Sequence, residues 1–571
     1  MALAQTFVTR QPSAGIELEP SAGVLERVFA ARGVQPAAEL ERPLAALLGP
    51  EVMADIEPAA QRLATAVQAQ ERILIVGDFD ADGATSVALA VSLLQAMGSA
   101  PVQFLVPNRF EFGYGLSEEI VQLALHREPA VIVTVDNGVS SIAGVDLANR
   151  HGVDVIITDH HLPGRELPAA AAIVNPNRPD CDFPSKAIAG VGVVFYVLGR
   201  VRAMLEAAGW FAERPRPVLS QWLDLVALGT VADVVPLDRN NRIMVHQGLR
   251  RLRAGRSRPG LQALCEVAGK QPAKLTAQDL GFALGPRLNA AGRLDDMSIG
   301  IRCLLSEDLG QARELATALD ELNRARREIE ATMVSEAELM LAGVAMQDTP
   351  QFGVCVYDAA WHQGVVGIVA GRLKDRLHRP VIAFAPAGDQ APDELKGSAR
   401  SLPAVHVRDA LDAIAARYPG MISKFGGHAM AAGLSLKHIH YERFAKAFDA
   451  QVAEMLPPSA LDPQVVTDGS LAPHELSLDC ARSLAAAGPW GQGFPEPLFQ
   501  GEFELVNQRE VGQGHLKMVL RCGDRLLDAI AFRQQPLPAA TGVRIAYRLE
   551  ENDYREPATL QLAVEHLQAL A

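Results

Sequence analysis

RILIVGDFDADGATSVALAVSLLQAM, residues 72–97, decides the fold. RILIV (72–76) is a short apolar run without the alternation of a half-wetted strand, which predicts a strand buried on both faces. SVALAVSLLQAM (86–97) has the composition of a helix. Between them, G-D-F-D-A-D-G places Asp78, Asp80 and Asp82 in one loop. The pattern repeats outward through VQFLV (102–106), helical SEEIVQLALHR (117–127), VIVTV (131–135), VDVII (153–157) and AAIV (171–174). Apolar strands separated by helices predict a parallel sheet with both faces covered.

Two more of these strands run into chemistry-bearing residues. VIVTV leads into Asp136-Asn137-Gly138, and VDVIIT into Asp159-His160-His161. In open parallel sheets ligands bind outside the carboxyl ends of the strands, so these loops can meet. Converging carboxylates repel, and several would protonate unless cations neutralised them. Carboxylates with imidazole suit a divalent metal such as Mn²⁺, with Mg²⁺ less favoured by the histidine. More acids than one ion needs point to two ions about 3.5–4 Å apart, the arrangement used for phosphoryl hydrolysis. Each piece alone reads more blandly. DxDxDG also opens calcium loops, but the twelfth position, where an EF-hand needs Glu, is Leu89. Asp136-Asn137-Gly138 alone is a turn signal, and Asp159-His160-His161 alone could be a solvated loop. Together, at successive strand ends, they predict a metal site.

The 571 residues suit about three or four domains. Apolar residues at 49% and charged ones at 21% exclude a disordered chain. A formal charge of −14 excludes a whole-surface basic binder, but not a groove built from local charge. The best uncharged stretch, 187–199, falls short of the roughly 20 residues a bilayer requires, and the N-terminus lacks the apolar core of a signal peptide. Cys181, Cys265, Cys303, Cys355, Cys480 and Cys522 lie far apart with no Cys-x-x-Cys, as expected of a cytoplasmic chain without disulfide staples.

Along the chain we expect an N-terminal segment (1–45), a catalytic α/β domain (46–309), a long connecting helix (310–345), a smaller α/β domain (346–460) and an OB-like β-barrel (461–571). The helix follows from a run after Gly310 free of Gly and Pro; the second α/β pattern from FGVCVY (352–357), VVGIVAGRLKDRL (365–377) and PVIAFAP (380–386). HLKMVLRC (515–522), RLLDAIAF (525–532) and VRIAYRLE (543–550) alternate with turns as in a small barrel.

GDFDADG, VDNG and DHH, in this order, resemble the motifs of the DHH phosphoesterase superfamily, and GTVADVVPL (229–237) resembles its fourth motif, supplying Asp233. PNRFEFGYGL (107–116), LGPRLNAAGRL (284–294), WHQGVVGIVAGRL (361–373), KGSARS (396–401) and GGHAMAAG (426–433) further resemble the RecJ family of single-strand-specific exonucleases. Pyrophosphatases of the superfamily open their first motif with His, where this chain has Asp78 nearby, which favours the nuclease branch. The resemblance implies a parallel-sheet DHH domain, a DHHA1 substrate-binding domain and the OB-like barrel. It also implies a 5′→3′ exonuclease that releases 5′-mononucleotides from single-stranded DNA in recombination and repair. Single-strand-binding protein and a helicase are the implied partners, and nothing suggests an obligate oligomer.

By the same resemblance Asp136 bridges two metals, Asp80 with Asp78 completes one site, and Asp82, His160 and Asp233 complete the other. Asp159 is expected to fix a neighbouring imidazole or backbone group, and His161 to face the phosphate as donor or general acid. Arg109, beside Phe110, Phe112 and Tyr114, joins charge to stacking faces. Arg287, Asn289 and Arg293 could hold phosphate, or Arg287 and Arg293 could form structural ion pairs. Ser398, Arg400, Gly427 and His428 are expected to form the pocket for the terminal 5′-phosphate, with GGHAMAAG as a glycine turn before a helix and His362 near the same cleft. RRLRAGRSR (250–258) is either a DNA path or a solvated surface, and Trp490 and Phe494 either pack domains or stack on bases. Rival readings are a small-molecule phosphoesterase, against which the barrel and arginines argue, and a non-catalytic single-strand binder, against which the full acid set argues.

Overall fold

The structure, a computed structural model, describes residues 6–570 apart from 14–15, 17, 20, 36–38, 108–114, 345–350, 389–390, 457–463, 513, 538–539 and 554–555. The chain divides into two compact units. One comprises Thr9–Leu322 with Val466–Ala571, the other Met1–Val8 with Asn323–Val465.

In the larger unit five strands form a parallel sheet in the order Gln103–Leu105, Ile73–Val76, Val131–Val135, Asp154–Thr158, Ala172–Val174. Every residue of Ile73–Val76 and Val131–Val135 is buried, because helices cover both faces. Helix Ala81–Ala96 is buried almost all round and packs with Gly190–Ala207 and Leu223–Ala232. Strand order departs from chain order between Ile73–Val76 and Val131–Val135, since the second strand in sequence lies outside the first. That reversal is where a crevice opens at the carboxyl edge of such sheets. GDFDADG and Asp136-Asn137-Gly138 leave the two strands that flank it.

GDFDADG is not one loop. The helix starts at Ala81, five residues earlier than its composition suggested, with Asp80 as its cap and Asp82 in its first turn. The cause is local. The Asp80 carboxylate accepts the Gly83 N–H at 3.0 Å, satisfying an end donor that would otherwise be orphaned.

The same unit holds a closed five-stranded barrel in the order Phe499–Val511, His515–Cys522, Arg525–Ala531, Thr559–Leu570, Gly542–Asn552. The parallel pairing of Arg525–Ala531 with Thr559–Leu570 closes it, and this is the OB arrangement. Phe499, Phe503, Met518, Ile545 and Tyr547 fill its interior. Beside the barrel, Trp490 and Phe494 are buried and stacked 5.1 Å apart, with Phe29 against both and Arg242 over Phe494 at 4.1 Å. They pack the interior of this unit.

Helix Leu309–Val344 runs from the larger unit into the smaller. The smaller unit carries a mixed sheet in the order Lys424–Gly427, Ala431–Lys437, Glu394–Arg400, Val381–Pro386, Val354–Tyr357. Its core gathers Phe384, Leu434, Leu436, Phe444 and Phe448. Here GGHAMAAG is a β-hairpin, with Gly427 opposite Ala432, and no helix follows directly. Small residues on both arms suit close antiparallel pairing, and Gly427 at φ +138° makes the corner.

Candidate metal centre

Each acid reaches the crevice for a local reason. Asp78 follows the first strand, and Gly83 must lack a side chain because its β-carbon would sit 2.6 Å from the Asp78 carbonyl oxygen. Asp82 is buried, and its two oxygens accept the Gly190 and Val191 N–H groups at 2.6 and 3.0 Å, at the start of helix Gly190–Ala207. Asp136 occupies the left-handed region at φ +63°, sparsely populated by non-glycine residues, and its N–H donates to the Thr158 carbonyl at 2.9 Å. A β-carbon on Gly190 would lie 2.7 Å from Asp136 Oδ1, so that glycine makes room for the carboxylate. The Asn137 amide donates to the carbonyls of Val76 (3.2 Å) and Val135 (2.9 Å), tying together the two strand ends that carry the acids.

Asp159 holds the histidine turn. Its carboxylate accepts the N–H groups of Val139 (2.9 Å), His160 (2.7 Å) and His161 (3.1 Å) and contacts His161 Nδ1 at 2.8 Å. From this turn His160 Nε2 stands 3.1 Å from Asp136 Oδ1 and 3.4 Å from Asp233 Oδ2. Asp233 caps the end of helix Leu223–Ala232, and Val234 beyond it is held at φ +61°. Asn175 and Asn177 donate to the carbonyls of His161 and His160 at 2.8 and 2.5 Å. Motif reading missed these two asparagines, since nothing in the sequence marks them as partners of the histidine turn.

Three groups of ligand atoms result, the atoms of each lying within 4.8 Å of one another: Asp78, Asp80 and Asp136; Asp82, His160 and Asp233; Asp136, His160 and His161. The carboxylates gathered here act on one another. Burial, then the fields of Asp82, Asp80, Asp233 and Asp78, hold the Asp136 carboxyl well above its ordinary range. Asp233 is raised likewise by burial and by Asp82, Asp80 and Asp78, and Asp82 is pushed up to about 7 by burial and Asp80. Burial opposes a charge on His161, but Asp159, Asp78 and Asp80 outweigh it and raise the imidazole to about 9. Hard carboxylate oxygens with imidazole nitrogens at this spacing fit divalent cations such as Mn²⁺.

The other candidate residues fall in different surroundings. Arg287 is buried, with Asp320 at 2.8–2.9 Å and the Ala283 carbonyl at 2.6 Å taking its donors. Asn289, two residues on, accepts the Ala81 N–H at 2.8 Å, and a β-carbon on Gly292 would overlap the Phe79 carbonyl, so helix Gly285–Leu294 lies directly on the acidic motif. Arg293 ends that helix, partly exposed. Of RRLRAGRSR, Arg258 and Arg251 face the buried Asp224, at 3.3 and 3.8 Å, and Arg253 donates to the Leu275 carbonyl. Arg109, Phe110, Phe112 and Tyr114 lie outside the described residues.

In the smaller unit Arg400 donates to Ser398 Oγ at 3.1 Å, and burial lowers its pKa. A β-carbon on Gly367 would meet Ser398 Oγ at 2.9 Å and Arg400 Nη2 at 3.0 Å, so helix Val366–Leu377 begins over this pair. Ser398 and Arg400 pair in register with Gly433 and Ala431, and the His428 N–H donates to the Ala431 carbonyl at 2.7 Å. Ser398 and Arg400 on one side and Gly427 on the other therefore flank strand Ala431–Lys437 in one sheet, with His428 in the turn after Gly427. His362 Nδ1 accepts the Gly364 N–H at 3.1 Å.

Comparison with known proteins follows the same divisions. Residues 72–230 match the DHH family N-terminal domain, 350–454 the DHHA1 domain and 467–566 the RecJ OB domain. The chain is 54% identical over 572 residues to the single-stranded-DNA-specific exonuclease RecJ of Dickeya dadantii, covering 98% of this chain and 99% of that protein. It is 52% identical over 560 residues to the Escherichia coli protein of the same name, covering 96% of each. Among solved structures, Thermus thermophilus RecJ in complex with Mn²⁺ superposes with a TM-score of 0.79 at 30% identity, over 95% of this chain and 76% of that one. The Mg²⁺ complex of the same protein gives 0.73 at 29% identity, over 95% of this chain and 74% of that one.

Proposed function

The chain belongs to the RecJ family of single-stranded-DNA-specific exonucleases, and from that membership and the acidic cluster we infer that it is a metal-dependent exodeoxyribonuclease. It degrades single-stranded DNA with Mn²⁺ or Mg²⁺ as cofactor, attacking from the 5′ end and releasing 5′-mononucleotides. The observation that carries this is the sharing of Asp136 and His160 between the groups of ligand atoms, which lets one carboxylate serve two ions.

Asp78, Asp80 and Asp136 would hold one ion, and Asp82, His160 and Asp233, together with Asp136, would hold the other. Bound there, divalent cations polarise the scissile phosphate and activate the attacking water. The chain's own groups do the positioning. Asp82, fixed by two backbone donors, cannot swing away, and Asp159 locks both histidines by their backbone and one by its ring. His161, with Nδ1 on Asp159, presents Nε2 toward the phosphate and holds a proton there for the leaving oxygen. Asn289 and Arg293 border the acidic motif on the substrate side. Ser398, Arg400, Gly427 and His428 receive the terminal 5′-phosphate, Arg109 contacts the strand, and the barrel binds DNA further along.

In the cell such an enzyme acts in recombination and repair, as a cytoplasmic monomer. It takes its strand from a helicase and from single-strand-binding protein, because a duplex end must first be opened. No helix among the described residues is long and apolar enough to cross a membrane. The test is purified protein with Mn²⁺ on single- and double-stranded DNA labelled at either end, with products sized. We expect mononucleotides from the 5′ end of the single strand; equal attack on duplex, or release from the 3′ end alone, would contradict the assignment.

A further inference from the structure

One aromatic ring beside the metal centre takes no part in packing. Phe282 is 79% exposed, in a unit whose other described phenylalanines are mostly interior. It lies in a single turn of π-helix, Leu280–Leu284, that runs straight into helix Gly285–Leu294. π-turns are rare, and they gather at functional sites because they rotate a side chain out of the regular helical face.

The neighbours of that turn place it close to the acidic cluster. Gly281 and Gly285 face the end of helix Leu223–Ala232: their β-carbons would meet Val231 at 3.2 Å and the Ala232 β-carbon at 3.0 Å. The next residue of that helix end is Asp233, a member of the acidic cluster. Val234 after it is 62% exposed despite its apolar side chain, and is held in a left-handed backbone. Phe282 and Val234 are thus exposed apolar side chains on the two segments that meet next to Asp233. Along the helix, Phe282 is seven residues from Asn289, which touches the acidic motif; that is roughly 10 Å, the span of a nucleotide or two.

We propose that Phe282 is the face on which a base of the DNA strand stacks while its phosphate lies over the acidic cluster. The chemistry favours a base over a phosphate at this surface. Phe282 is apolar and aromatic, so what it offers a strand is a stacking face and not a charge. Stacking needs no charge, and every base offers a π-face, so sequence tolerance is kept. Phe282 is a positioning residue: it sets which phosphodiester reaches the metal centre.

The inference rests on the exonuclease reading, and the experiment separates the two. The native chain, Phe282→Ala and Phe282→Trp are assayed with Mn²⁺ on 5′-labelled single strands, unmodified or carrying one abasic residue at each of the first few positions. Hydrolysis of the unmodified strand by the native chain tests the exonuclease reading. For the stacking face, Phe282→Ala should lower kcat/KM on the unmodified strand by on the order of 5- to 150-fold. At one abasic position the native chain should lose a similar factor, and Phe282→Ala should lose nothing more. Phe282→Trp should restore most of the rate. Phe282→Ala within twofold of native, or a loss that multiplies in full with the abasic loss at every position, would overturn the proposal.

Discussion

Two kinds of buried charge lie within one unit of this protein. At Arg287 with Asp320, and at Arg242 with Glu39, each buried charge meets one opposite partner at 2.7–2.8 Å. At the strand ends, Asp78, Asp82 and Asp136 are buried together with Asp80 and Asp233 close by, and burial first, then the fields of the neighbouring acids, holds the carboxyls of Asp82, Asp136 and Asp233 above their ordinary range. The difference teaches what each region is for. A balanced pair is complete within the chain, whereas a cluster of like charge is complete only with something added.

The sharpest way to break that contrast is to remove charge from each side of it. Asp136→Ala should abolish hydrolysis of a 5′-labelled single strand, by at least roughly 10³-fold. In chelator its melting temperature should equal or exceed that of the native chain, because a repelling carboxylate has gone. Asp320→Ala should do the reverse. It leaves Arg287 buried without its partner, at a cost of about 3–5 kcal/mol in urea unfolding, while Mn²⁺ affinity stays unchanged. If Asp320→Ala left stability intact but weakened DNA binding, Arg287 would belong with the phosphate-holding residues.

Metal and pH sharpen the comparison next. Without metal, the folded chain binds protons on Asp82 and its neighbours that the unfolded chain has already released. The cluster's contribution to the stability of the stripped protein is therefore fullest below the ordinary carboxylate range near 4 and is lost as pH rises toward about 7, the value to which Asp82 is raised. With Mn²⁺ bound the carboxylates are held ionised, and that fall should disappear. Thermal melts from pH 4 to 8, with chelator and with saturating Mn²⁺, measure the difference. Parallel curves would mean that the cluster is not what the cation stabilises.

Much of this was legible in the chain, for a physical reason. Strands buried on both faces must be continuously apolar, so VIVTV stands out at 131–135 and the structure keeps its limits, while RILIV loses only its arginine. The residues that follow such strands inherit their position from the sheet, which is why the sequence alone groups the acids. Long-range pairing left no such trace. Asp320 lies 33 residues from Arg287, and nothing local marks it as the partner. GGHAMAAG read as a turn before a helix because its glycines hide the strand pairing that makes it a hairpin. The first and last barrel strands in the chain, Phe499–Val511 and Thr559–Leu570, mix faces around bulges and polar rims, which blurs their alternation.

The smallest effect should come from the one hydrogen bond that joins the two kinds of region. Helix Gly285–Leu294 carries Arg287 into its ion pair and, two residues later, Asn289 onto the acidic motif, where Oδ1 accepts the Ala81 N–H at 2.8 Å. That N–H belongs to the first residue of the helix capped by Asp80, so the bond sets the direction in which Asp80 and Asp82 leave the motif. Asn289→Ala orphans the donor at a cost of about 1–3 kcal/mol and frees the helix start to shift. Because a partner behind a metal ligand tunes affinity, Mn²⁺ binding measured by calorimetry should weaken by roughly 10- to 100-fold. Asn289→Asp keeps the acceptor but adds a sixth carboxylate to a rim that already repels itself; it should recover the folding stability only with metal present. Equal recovery with and without metal would show that Asn289 supports the fold alone and leaves the acids where they were.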